Sequence, residues 1–248
     1  MRKTILITGA SSGLGMGMAR EFARMGRDLA LCARRVERLE DLRDELTREH
    51  PQIRVFVRPL DVNDHADVFE VFRAFASDLG SLDRVIVNAG IGKGQPLGTG
   101  YFHANLKTAE TNFVAALAQC EAALEIFRKQ EAGHLVTIAS MSAVRGMPRN
   151  MTTYAATKAG LAALSEGIRC ELLGTKIRVS TIFPGYIRSE INERVKNKPF
   201  IVDTDTGCRA LVRAIEKERA TAYVPAWPWL PLGLVMRGLP LGLVKKLA

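Results

Sequence analysis

Tyr154 and Lys158 stand four positions apart at the start of a stretch with helical patterning. That spacing sets phenol and ammonium on one helix face. A free tyrosine titrates near pKa ~10 and serves poorly as an acid or base at neutrality. A cation within ~4–6 Å favours the phenolate and lowers that value by about 1–3 units. The pair therefore predicts a phenol that gives a proton to a carbonyl or takes one from an alcohol. Near the other end of the chain lies Thr8-Gly9-Ala10-Ser11-Ser12-Gly13-Leu14-Gly15. Glycines there allow a tight turn and let backbone approach a pyrophosphate, and a following helix aims unpaired N–H groups at it. The spacing is GxxxGxG; the GxGxxG form is excluded because Met18 stands where its last glycine would be.

A third set bears on cofactor choice. An acid at the carboxyl end of the second strand would bind a ribose 2′-hydroxyl and repel a 2′-phosphate. This strand ends Cys32-Ala33-Arg34-Arg35, and Asp28 lies at its other end. Arg34 can make a charge-assisted contact with a 2′-phosphate. Two cations at a helix N-terminus are unfavourable without an anion to meet them. The reading is NADP in preference to NAD.

These groups need elements to hold them, and strand and helix patterns alternate along almost the whole chain. Strand-like runs fall at residues 4–8, 29–33, 53–57, 85–87, 135–138, 179–183 and 222–224. Helical patterns fall at 14–25, 36–49, 64–76, 106–129, 154–173 and 208–217, with a long loop over 186–206. Short apolar runs separated by helices indicate parallel strands covered on both faces. The expected fold is α/β: one doubly wound (Rossmann) parallel sheet of seven strands, its ligand site beyond the carboxyl ends of the strands.

Of the 248 residues, 47% are hydrophobic and 25% charged, as in an ordinary globular protein. The net charge of +9 is spread from Arg2 to Lys246 among acidic residues, as in Arg35-Val36-Glu37-Arg38, and no nucleic-acid motif accompanies it. Cys32, Cys120, Cys170 and Cys208 form no CxxC pair and read as small buried hydrophobes in a reducing, cytoplasmic setting. His50, His65, His103 and His134 read as loop or helix-edge residues without ligand spacing, so no metal is expected. The first strand begins too early for a signal peptide. Residues 1–225 make the expected catalytic unit. Residues 226–248 form an apolar tail whose Pro228, Pro231, Pro240 and Arg237 argue against a membrane span. The tail could pack on the body, on a second subunit or on a membrane surface.

Gly9-x3-Gly13-x-Gly15, Asp61-Val62, Asn88-Ala89-Gly90, Asn112, Ser140, Tyr154-x3-Lys158 and Pro184-Gly185 occur in that order. In this respect the chain, from residue 4 to about 224, resembles the classical short-chain dehydrogenase/reductases. The resemblance implies hydride transfer between a nicotinamide and a small-molecule carbonyl or secondary alcohol. It implies that Tyr154 is the general acid/base, that Lys158 lowers its pKa and binds the nicotinamide ribose, and that Ser140 bonds the substrate oxygen. Asn112 would hold a water leading from Lys158. Ser11, Ser12 and Leu14 would join the glycines around the pyrophosphate, with Arg34 and Arg35 nearby. Asp61 and Val62 would meet the adenine, Asn88, Ala89 and Gly90 would support the cleft, and Ile187 and Ser189, after Pro184-Gly185, would face the carboxamide and phosphates. Family members are commonly dimers or tetramers through the helices bearing Asn112 and Tyr154.

The chain also departs from the family pattern. The interval from Ser140 to Tyr154 is one residue longer than usual, and Ser142, two positions on, is the alternative; Ser140 is favoured because it immediately follows the fifth strand. Ala115 and Ser189 replace a common Gly and Thr. The apolar tail suggests a hydrophobic substrate. Two rival functions share the fold: a non-catalytic nucleotide sensor or scaffold, and a membrane-surface protein whose tail matters most.

Overall fold

The computed structural model describes residues 2–192 and 199–247. Its strands are β1 (Thr4–Thr8), β2 (Asp28–Ala33), β3 (Val55–Pro59), β4 (Arg84–Val87), β5 (Ala132–Ile138), β6 (Lys176–Pro184) and β7 (Thr221–Val224). Among the described residues they form one seven-stranded sheet, all parallel, in the order β3-β2-β1-β4-β5-β6-β7. Strand order reverses between β1 and β4, which opens a crevice at their carboxyl ends.

Successive side chains of a strand point to opposite faces, and both faces here are apolar. Ile5, Ile7, Leu29, Leu31, Ile86 and Val136 meet α1 (Gly13–Arg24), α2 (Val36–Glu49) and α7 (Thr204–Glu216). Leu6, Ala30, Val85, Val87, Leu135 and Val179 meet α3 (His65–Leu79), α5 (Ala115–Gln130) and α6 (Thr152–Glu171). A strand buried on both faces has no reason to alternate, which is why these runs read as continuous hydrophobic stretches.

Several boundaries differ from expectation, three of them for visible physical reasons. The third strand begins at Val55 because Ile53 is spent in a turn, its amide donating to His50 O, while Arg54 pairs with Asp28 at the head of β2. The helix expected over 106–129 begins earlier, as α4 (Phe102–Ala109), and is broken by a π-helical turn, Glu110–Val114, before α5. α7 begins at Thr204, where the Asp203 carboxylate accepts the Thr206 amide as a cap.

At the amino ends of the strands, away from the crevice, Arg84 is 1% exposed. It pairs with Glu216 and Glu218, and Arg2 and Arg27 join the same two carboxylates. His134 belongs to this cluster. It is fully buried in β5 and not at a loop or helix edge, because both ring nitrogens have partners in the sheet. Arg84 Nε donates to its Nδ1 at 2.8 Å, so the ring proton sits on Nε2 and faces Ser180 Oγ at 2.8 Å. Burial and the Arg84 charge lower the His134 pKa to about 3. Despite its Ser-His-acid composition, the cluster cannot deprotonate Ser180 and serves as a charged floor. No group of three or more residues suited to a metal occurs among the described residues. Cys32, Cys120 and Cys208 are buried, whereas Cys170 is exposed.

The tail forms α8 (Ala226–Gly238) and α9 (Leu241–Leu247). α8 lies against β7 and the 3-10 turn Met141–Val144, and the Arg145 guanidinium caps it by donating to Arg237 O at 2.6 Å and Leu239 O at 2.8 Å. Trp229 and Val244 are buried, while Trp227, Leu234 and Leu241 are exposed. Among the described residues no helix is long and apolar enough to cross a membrane.

Candidate active site

β1 ends directly in the glycine turn. Gly9 has φ +66°, and a Cβ there would lie 3.0 Å from Ala89 Cα, so only glycine lets this turn close against the end of β4. Asn88 locks the same junction: its side-chain amide donates to Thr8 O at 2.8 Å, while the Asn88 and Ala89 amides donate to Thr8 Oγ1. Ser12 is the N-cap of α1 but makes no side-chain cap bond. Ser11 and Ser12 instead accept from Arg35, at 3.3 and 2.7 Å. The amides that open α1, from Gly13 through Leu14 and Gly15, are thus left uncapped at a positive helix end. A glycine turn running into an uncapped helix fits a dinucleotide pyrophosphate.

Arg34 reaches outward, 58% exposed, with Nη1 4.0 Å from Asp61 Oδ2. Burial works to raise the Asp61 pKa, but bonds from Asn63 and the Arg34 charge outweigh it and leave the carboxyl below its usual value. Val62 is buried beside it. Arg34 and Arg35 therefore part company: one faces the acid after β3, the other lies on the phosphate turn.

The π turn delivers Asn112 fully buried to the inner end of the cleft. Its Oδ1 accepts the Ile91 amide at 2.8 Å and its Nδ2 donates to Ile91 O at 2.8 Å. Both ends of the side chain are thus engaged by backbone, which makes Asn112 the anchor of the segment after β4. A Cβ on Gly90 would come 3.1 Å from Asn112 Oδ1 and 3.5 Å from Lys158 Nζ, so Gly90, Asn112 and Lys158 are neighbours.

Lys158 is buried, and its Nζ donates to Ile138 O at 2.8 Å. Desolvation lowers its pKa to about 8. The partly buried Tyr154 phenol is held above its usual value, the reverse of the expected depression: burial raises it, the Ser140 hydrogen bond opposes this, and Tyr186 adds to the rise. The Lys158 ammonium is directed at the Ile138 carbonyl. Ser140 follows β5, and its Oγ accepts from Ser142 N at 3.2 Å and Ser142 Oγ at 3.0 Å. With both acceptor positions taken, the Ser140 proton is left to be donated. The structure thus sets Ser140 beside Tyr154 and Ser142 behind it.

Pro184 closes β6, and the Gly185 amide donates to Val224 O at 2.9 Å. The Ile187 side chain is buried against Gly207 of α7, so what it offers the cleft comes from its backbone. Ser189 lies against Gly13, which brings this segment onto the phosphate turn. Several neighbours had no legible signal in sequence. Trp229 of α8 covers Gly185 so closely that a Cβ there would meet its ring at 2.0 Å. Tyr186 and Phe200 stand edge-on to Trp229, with ring centres at 5.8 and 6.1 Å. The buried Trp229 Nε1 has no hydrogen-bond partner among the described residues. Glu190 reaches back to Arg35 and Arg38.

The sequence model described as short chain dehydrogenase matches residues 3–199. An uncharacterised oxidoreductase of Mycobacterium tuberculosis is 52% identical over 247 residues, covering 100% of this chain and 98% of the relative. An alcohol dehydrogenase from the archaeon Thermococcus sibiricus, solved with 5-hydroxy-NADP, is 27% identical with a TM-score of 0.79, over 89% of this chain and 94% of that one. A short chain dehydrogenase/reductase from Burkholderia phymatum, solved with NAD, shares the fold with a TM-score of 0.84 at 21% identity, over 99% of this chain and 95% of that one. With the glycine turn, the Asn112 bulge and the Ser140–Tyr154–Lys158 cluster in one crevice, this chain is an oxidoreductase of the short chain dehydrogenase family.

Proposed function

We propose that the protein is an NADP(H)-dependent reductase or dehydrogenase acting on a carbonyl or secondary alcohol of a hydrophobic substrate. The observation that carries this reading is the hydrogen bond that sets the Ser140 hydroxyl beside the Tyr154 phenol, with Ser142 supporting Ser140 from behind. When bound, the cofactor supplies a hydride donor or acceptor at C4 of its nicotinamide. Ser140 Oγ donates to the substrate oxygen and stabilises charge that develops there. Tyr154 Oη gives that oxygen a proton in reduction, or takes one in oxidation. Lys158 holds a positive charge at the inner end of the cleft, and Asn112 fixes Ile91 and Gly90 around it. The absence of an acid at the end of β2, with Arg34 and Arg35 in its place, supports the phosphorylated cofactor. So does the Thermococcus enzyme's 5-hydroxy-NADP. Tyr186, Phe200 and Trp229 give the outer cleft an aromatic wall suited to an apolar substrate. The groove lined by Leu117, Leu124, Leu164 and Ile168 between α5 and α6 is the face on which a second copy would dock.

The test is a panel of carbonyls and alcohols followed at the nicotinamide absorbance with each of the four cofactor forms. Turnover is expected with the NADP pair in preference to the NAD pair, and Tyr154→Phe should lower kcat/KM by about 10²–10⁴. Preference for NAD would remove the cofactor assignment, and an undiminished Tyr154→Phe would remove the chemistry.

A second reading concerns the tail. Trp227, Leu234, Val235 and Leu241 are exposed, with Arg237, Lys245 and Lys246 among them. Apolar anchors mixed with cations suit the surface of an anionic bilayer. In this reading residues 226–248 rest on the membrane while residues 1–225 carry the chemistry.

A further inference from the structure

The first turn of α2 gathers more positive charge than its one acid, Glu37, can balance. Arg34 and Arg35 precede the helix and Arg38 lies within it, at the end where the backbone itself is positive. The charge is met from a distant part of the chain. Glu190, in the 3-10 turn Glu190–Asn192 that follows β6, places one carboxylate oxygen 2.7 Å from Arg38 Nη1 and the other 3.1 Å from Arg35 Nη2. The same Arg35 nitrogen donates to Ser12 Oγ at 2.7 Å, and a hydrogen bond with Ser12 is among the causes that hold the Glu190 carboxyl below its usual value, after those with Arg38 and Arg35. Two guanidinium groups thus converge on one anion, and one of them is also bound to a hydroxyl of the phosphate turn. They do so between the glycine turn and the end of β2, where an adenosine ribose must lie if the dinucleotide binds as proposed.

On the NADP reading Arg35 and Ser12 meet the phosphate monoester on the adenosine ribose; we propose that Arg38 joins them and that Glu190 is an internal competitor which this phosphate displaces. The inference rests on the NADP reading above, and adds to it Arg38 and a carboxylate that works against the ligand. A phosphate monoester carries about −1.5 to −2 charge and three acceptor oxygens, against one charge and two oxygens for a carboxylate. It matches two arginine forks better than Glu190 does. The exchange is easy because the internal pairs are close to half exposed, at 43–48%, and exposed ion pairs are individually weak. It also has a mechanical side. Ser189 lies on Gly13, so the segment from Gly185 to Glu190 is fastened to the phosphate turn at its far end. When the phosphate takes the arginines, that fastening loses its charged part, and the aromatic wall begins on the same segment at Tyr186.

The experiment is calorimetric titration of the full chain and of its Glu190→Gln and Arg38→Gln variants with adenosine 2′,5′-bisphosphate and adenosine 5′-monophosphate. Neither probe requires turnover. Glu190→Gln should tighten the bisphosphate about two- to fivefold, the range of an exposed ion pair, and leave the monophosphate within about twofold. Arg38→Gln should weaken the bisphosphate about tenfold or more, as for loss of a charged hydrogen bond. Bisphosphate binding that is unchanged or weaker in Glu190→Gln overturns the competitor, and an unaffected Arg38→Gln overturns the site. Equal binding of the two probes by the unmodified chain would instead undo the NADP preference. A selective gain for the bisphosphate in Glu190→Gln would still support the competition.

Discussion

Ser140 Oγ accepts two hydrogen bonds from Ser142, so the two serines hold different stations in one arrangement. Ser140→Ala would remove the donor proposed to meet the substrate oxygen, and kcat/KM should fall by about 10²–10³. Ser142→Ala leaves that donor in place and should cost less than about tenfold, because its backbone amide still supports Ser140. Steady-state rates of the two variants on one substrate decide this, and an inversion of the order would reassign the catalytic serine. Sequence favoured Ser140, which directly follows β5, but did not show the bonds from Ser142 that support it, since the path of that turn depends on tertiary contacts. Tyr154 teaches a related lesson. The i,i+4 spacing put phenol and ammonium on one face, yet burial raises the phenol's pKa, and Lys158 addresses a carbonyl of β5.

At the scale of elements, the alternation of strands and helices was readable because each short apolar run had to be covered on two faces. The π turn at Glu110–Val114 was not, because it contains no glycine or proline; what holds it is Asn112 bonding to Ile91 some twenty positions earlier. α8 was equally opaque, since Pro228 and Pro231 read as interruptions, whereas its path is set by Trp229 on Gly185 and by the Arg145 cap. This matters for testing membrane attachment. Ending the chain after Pro225 would also strip Trp229 from the cleft, so point changes on the exposed side are cleaner. With phosphatidylserine-containing vesicles, the unmodified chain should float and Leu234→Glu/Leu241→Glu should stay behind. Equal flotation would separate the tail from any membrane role.

For the molecule as a whole, the two ends of the sheet do different work. The carboxyl ends carry the open crevice, while the amino ends are closed by Arg84, His134, Glu216 and Glu218 with Arg2 and Arg27. Removing one member of a buried charged set leaves the others unsatisfied at a cost of several kcal/mol. Arg84→Met should therefore destabilise folding by about 3 kcal/mol, read as a lower denaturant midpoint, with kcat unchanged under native conditions. A loss of kcat at full stability would mean that the floor communicates with the crevice. The strand number and the layers were legible from pattern, but this floor was not. Its residues come from the approaches to β1 and β2, from β4, β5 and β6, and from the end of α7, and no local spacing links them.

Trp229 seated on Gly185 ties the history of two distant codons together. A side chain larger than hydrogen at 185 would evict the indole, and without the indole the bare glycine would face the substrate uncovered. Positions 185 and 229 are therefore expected to change together or not at all.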